Sequence, residues 1–71
     1  MADLTHLQYD ALESAIANGR RIVICRRGTE FIVVPTRLAV LDGRESISAV
    51  HPTTGERITL YIDEIDSIDA V

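Results

Sequence analysis

FIVVPTRLAVLDG, residues 31–43, is the longest apolar run in the chain, interrupted only by Pro35, Thr36 and Arg37. Apart from its aromatic start, the segment 31–34 is β-branched, which predicts a buried strand. Pro35 has no N–H for a ladder, so it marks an edge, a bend or a bulge. The strand resumes over 38–41, and Asp42-Gly43 supplies a turn that tolerates positive φ. A long strand bent at its middle is how a small barrel turns a corner.

Upstream, Arg27-Gly28-Thr29 reads as a tight reversal into that strand, making a first hairpin with residues 20–26. In that earlier strand Ile22 and Ile24 fall on one face. Arg21, Val23 and Cys25 fall on the other, which the helix is expected to cover in part. Before it, Leu7, Ala11, Leu12, Ala15 and Ile16 share a helical face. A helix is expected from about Thr5 to Asn18. Thr5 and Gln8 fit a capping box, Leu4 a hydrophobic staple, and Asp3 is the competing cap. Asn18-Gly19 is a C-terminal stop.

Downstream, residues 45–50 form the next strand, with Ile47 and Ala49 inward. The polar turn 52–55 closes a third hairpin. Ile58, Leu60 and Ile62 mark one face of the returning strand, residues 57–62. Asp63-Glu64-Ile65 suits a single 3₁₀ turn, and residues 67–71 a last short strand. The pattern predicts a mainly β fold: an N-terminal helix packed on a small, bent antiparallel barrel of about five strands, Sm-like or SH3-like. No βαβ unit is present, and Gly28 lacks the companions of a phosphate loop.

All 71 residues fit one domain, and 46% are hydrophobic. The core is near the lower size limit for independence, so either it is efficient or a partner helps, and a C2 homodimer is a reasonable prior. One cysteine excludes an internal disulfide and a multi-cysteine zinc site. No signal-like segment or membrane-length run occurs, and the expected location is cytoplasmic. Net charge is -4, which disfavours a general binder of phosphate backbones. The charge is unevenly placed. Arg20, Arg21, Arg26, Arg27 and Arg37 lie in the first part of the chain. Glu56, Asp63, Glu64, Asp66 and Asp69 lie near the end, and there is no lysine.

No catalytic constellation stands out, and the chain is expected not to be an enzyme. His6 and His51 have no companions at metal-ligand spacing. Cys25 precedes two arginines that would favour a thiolate, but a half-buried strand thiol is the plainer reading. No serine or threonine has a legible base and acid. No cofactor is implied. Two groups remain. Asp63, Glu64, Asp66 and Asp69 form a candidate acidic docking rim for a basic protein partner. Arg20, Arg21, Arg26, Arg27 and Arg37 are candidate contacts for an anion or nucleic acid, provided that they converge. Only Tyr9, Phe31 and Tyr61 are available to stack on bases, which ranks nucleic acid below protein as a partner.

ALESAIANGRRIVICRR (11–27), VVPTRL (33–38), DGRESI (42–47) and YIDEIDSI (61–68) together resemble the WYL domain of bacterial transcriptional regulators. That family is an Sm-like barrel with a preceding helix. Val34, Pro35, Leu38, Asp42, Gly43 and Arg44 carry the likeness, with Ile62, Asp63 and Ile65 in the closing element. Glu45-Ser46-Ile47 stands where the family has Trp-Tyr-Leu, and Glu64 stands where it closes on arginine. The resemblance implies ligand sensing, often of nucleotides or nucleic acid. Tyr9, Leu12, Glu13 and Ala15, with IDEIDSI at 62–68, also resemble the Rof family, small acidic inhibitors of the termination factor Rho. That likeness implies a protein partner met through acidic groups. The first-ranked expectation is an interaction or regulatory module with a protein partner. A nucleotide-binding or nucleic-acid-binding barrel and a structural subunit follow.

Overall fold

The computed structural model describes residues 6–71. The elements are α1 (His6–Asn18), β1 (Ile22–Arg26), β2 (Thr29–Leu41), β3 (Arg44–Val50), β4 (Arg57–Tyr61), a 3₁₀ turn (Ile62–Glu64) and β5 (Ser67–Ala70). The fold is mainly β, with one helix on a five-stranded antiparallel sheet ordered β4-β3-β2-β1-β5. The proposed caps Asp3 and Thr5, and the staple Leu4, lie outside the described residues.

β2 is the shared strand. Its first half pairs with β1, ending at Val33 opposite Ile22. Its second half pairs with β3, beginning at Val34 opposite Val50. Pro35 therefore stands where β2 has passed the end of the β1 ladder, a place that tolerates a residue without a donor. The register skips Thr36: Pro35 faces Ala49, and Arg37 faces Ser48. This is a β-bulge, and the Thr36 hydroxyl donates to the Ser48 carbonyl at 3.0 Å across it. The segment 31–34 is not buried throughout. Val33 is inside, whereas Ile32 is 49% exposed, because β2 has core on one face only here.

The two short hairpins have one design. Arg27 and Gly28 have φ of 51° and 78°, and Asp42 and Gly43 have 52° and 75°. Two successive positive φ values give the type I′ turn, whose twist matches paired strands. The flanking pairs, Arg26 with Thr29 and Leu41 with Arg44, are in register as a two-residue loop requires. In the third turn His51 Nδ1 accepts from the amides of Thr53 and Thr54, at 3.2 and 3.4 Å.

Leu12, Ile22, Ile24, Ile47, Leu60, Ile65 and Ile68 are fully or nearly fully enclosed in one core. Leu12 and Ala15 bring α1 onto the face of β1 that carries Ile22 and Ile24, so the helix does not cover Val23 and Cys25 as the sequence suggested. Leu7 also departs from expectation, at 78% exposed. The stripe that packs runs through Tyr9, Leu12, Ala15 and Ile16. Five residues before Leu12, Leu7 is turned about 140° away from it on a helix of 3.6 residues per turn. The helix ends as predicted, with the Arg20 amide donating to the Ala15 carbonyl at 3.0 Å, a Schellman closure.

Candidate functional site

The five candidate arginines do not converge. Arg20 and Arg21 follow α1, beside Ala70 and Val71 at the end of β5. Arg26 and Arg27 are at the opposite end of β1, in the first hairpin. Arg37 is on the outer face of β2, beyond the bulge.

The ionic centre of the molecule is instead Arg44, at the start of β3. Its Nε donates to Asp63 Oδ2 at 2.9 Å, and its Nη2 to Asp63 Oδ1 at 2.6 Å. Nη2 also lies 3.4 Å from Glu64 Oε2. The guanidinium is 3.9 Å from the centroid of the Tyr61 ring. The register explains the meeting. Ser46 pairs with Tyr61, and Arg44 lies two residues from Ser46 on the same face of β3. The 3₁₀ turn then carries Asp63 back to the planar fork. The Arg44 hydrogen bond is the main reason that the Asp63 carboxyl is held below its usual range, while burial opposes the shift. Arg44 in turn becomes still harder to deprotonate, chiefly through Asp63.

This arrangement divides the acidic rim. Asp63 and Glu64 are already matched by Arg44, and Glu64 lies 3.9 Å from Arg27 as well. Asp66 and Asp69 are exposed, and neither forms an ion pair among the described residues. Asp69 sits opposite Val23 in the β1–β5 ladder, and Ile32 opposite Val23 in the β1–β2 ladder. Ser67, Cys25 and Glu30 make the next row. The outer face of β5-β1-β2 therefore presents Ile32, Val23 and Cys25 between acidic side chains.

Beside the first hairpin, Arg26, Arg27, Thr29, Phe31 and Glu64 line a cavity of about 320 Å³. The Arg26 guanidinium lies 5.1 Å from the Phe31 ring centroid, and Glu64 brings a carboxylate to the same wall. A groove of about 510 Å³ crosses the outer face of β2-β3-β4, lined in part by Arg37 and Arg57. Among the described residues no group of three or more His, Cys, Asp or Glu side chains is placed to hold a metal. No helix there is long and apolar enough to cross a membrane.

No family model matches the sequence, and comparison with curated proteins finds no match. Among solved structures, the chain is similar to proteasome accessory factor B/C (PafBC) of Arthrobacter aurescens, with a TM-score of 0.75 and 22% sequence identity. The match covers 99% of this chain and 12% of that one. At that identity the likeness is one of fold alone, and it lends nothing to the Rof comparison.

Arg44 and Tyr61 escaped the search for site residues. Arg44 is 19 residues from Asp63, and only the β3–β4 register brings them together. The Asp-Gly turn before Arg44 was the available signal, because it fixes which residue begins β3.

Proposed function

We propose that this chain is a small, non-enzymatic interaction module of the regulatory kind, which binds a basic protein partner. The fold likeness to part of PafBC supports the regulatory setting. The observation that carries the reading is the outer face of β5-β1-β2, where Ile32 is 49% exposed between Asp69 and Glu30 on a face that α1 leaves open. An apolar centre with a charged rim is the usual anatomy of a protein contact. The rim carries negative charge, so the complementary partner has arginine or lysine around an apolar anchor. Charge accelerates the encounter and sets orientation, while Ile32 supplies much of the affinity.

The test is affinity capture from lysate at low and high salt, using the wild type, Ile32→Asp, and the double variant Asp66→Asn/Asp69→Asn. The expected partner is lost with Ile32→Asp, and weakened by salt and by the double variant. Retention of the same partners by both variants would remove this face from consideration.

A further inference from the structure

The bulge in β2 has a consequence for one arginine. In a regular register Thr36 would face Ser48, and Arg37 would face Ile47 on the core side. The skipped residue puts Arg37 opposite Ser48 on the outer face, while Leu38 takes the place opposite Ile47. Ser48 pairs in turn with Thr59 of β4, so Arg37, Ser48 and Thr59 form one cross-strand row. Arg57 pairs with Val50, one row along on the same face. Arg37, Arg57, Thr36, Ser48 and Thr59 all line the 510 Å³ groove.

Three features suit this groove to an anion. Neither arginine has a carboxylate within 4.0 Å among the described residues, unlike Arg27 and Arg44. No carboxylate lines the groove, whereas Glu64 lines the cavity at the first hairpin. Three hydroxyl side chains, Thr36, Ser48 and Thr59, line the groove beside the two arginines. Strands lie about 4.8 Å apart, so side chains of β2 and β4 rise about 10 Å apart across the groove. Two extended arginines can close that distance on one small tetrahedral anion. Arginine is the side chain whose planar fork matches phosphate oxygens. Two cations make too small a footprint for a nucleic-acid backbone on a protein of net charge -4.

We propose that the groove between Arg37 and Arg57 binds the phosphate group of a small organic phosphomonoester. Ser48 and Thr59 supply the neutral polar contacts, and Val50 offers apolar surface to the organic part. This site is independent of the face assigned to a protein partner.

Amide and arginine Nε–H spectra of the labelled full chain, titrated at constant ionic strength, test it. The probes are inorganic phosphate, glycerol 3-phosphate, chloride and a short single-stranded oligonucleotide. The expected result is saturable shifts at Thr36, Arg37, Ser48, Arg57 and Thr59 with both phosphates and none with chloride. Tighter binding of glycerol 3-phosphate than of inorganic phosphate assigns the organic ester as ligand. Equal binding overturns that part and leaves a site for free phosphate. Arg37→Gln and Arg57→Gln should each weaken binding at least tenfold with an unchanged melting temperature, and Arg20→Gln should not change it. Diffuse, unsaturated shifts shared with chloride would overturn the site. An oligonucleotide that binds more than tenfold tighter than the monoester would replace the proposed ligand with nucleic acid.

Discussion

The guanidinium carbon of Arg44 lies over the ring of Tyr61, 3.9 Å from its centroid, while the same group grips Asp63 through two hydrogen bonds. Stacking and bidentate pairing both require a planar, five-donor cation. Arg44→Lys keeps the charge and loses both geometries. It should lower the melting temperature and move the ring proton resonances of Tyr61, with the strands preserved. A lysine variant with unchanged Tyr61 resonances would mean that the stack contributes nothing in solution. Arg44→Ala should be no less destabilising than Arg44→Lys.

Asp63 gives this pair a pH dependence of known sign. Its carboxyl is held below the ordinary aspartate value, mainly by the Arg44 hydrogen bond. A group whose pKa is depressed in the folded state stabilises fully above its unfolded value, about 3.9. That contribution is lost as pH falls through the folded value. The wild type should therefore be more stable than Asp63→Asn at neutral pH, with the difference shrinking below about pH 4. Paired thermal melts across that range measure it. Because both side chains are 41% exposed, added salt should also shrink the difference.

Local chemistry made the fold legible, and long-range register made the site illegible. Asp42-Gly43 and Arg27-Gly28 announced their turns because a two-residue reversal needs residues that accept positive φ. Pro35 announced the bend because it cannot donate to a ladder. The alternation of Ile22 and Ile24 named the core face, but the sequence did not say that α1 would choose that face. Leu7 misled because an apolar residue near a helix start resembles a core residue until the stripe through Leu12 is fixed. The acidic rim read as one cluster because Asp63, Glu64, Asp66 and Asp69 are close in sequence. The 3₁₀ turn sends the first two to Arg44 and leaves the others at β5. The bulge at Thr36 leaves no signal beyond the nearby proline, yet it decides which way Arg37 faces.

The second hairpin offers a backbone test. Gly43 has φ of 75° with open space around the position that a Cβ would take. Gly43→Ala would therefore cost through backbone conformation rather than through a clash. A left-handed alanine costs roughly 1–2 kcal/mol, and urea unfolding should show a loss of that size. A loss below about 0.5 kcal/mol, the range of neutral surface changes, would mean that the turn has another low-energy form. Asp42→Gly should leave stability nearly unchanged. It relieves positive φ at Asp42 but adds conformational freedom to the unfolded chain.

Helix α1 provides the sharpest contrast between sequence pattern and packing. Leu12 has no exposed surface and joins the core with Ile22, Ile24 and Ile68. Leu7 is about 1.4 turns earlier and 78% exposed. Deleting a buried leucine side chain removes its transfer energy and leaves a cavity, about 2–5 kcal/mol together. In a chain of 71 residues that is a large share of a total of roughly 5–15 kcal/mol. Leu12→Ala should therefore move the urea midpoint strongly. Leu7→Ala should stay within about 0.5 kcal/mol of the wild type, since it removes little buried area. Tyr9 separates docking from burial, because its hydroxyl donates to Glu45 Oε1 at 3.0 Å and ties α1 to β3. Tyr9→Phe keeps the ring against the core and deletes the tie. It should cost about 0.5–1.5 kcal/mol, between the two leucine variants. Equal losses for Leu7→Ala and Leu12→Ala would show that α1 rotates on the sheet in solution. The stripe through Tyr9, Leu12 and Ile16 would then not be the one that holds it.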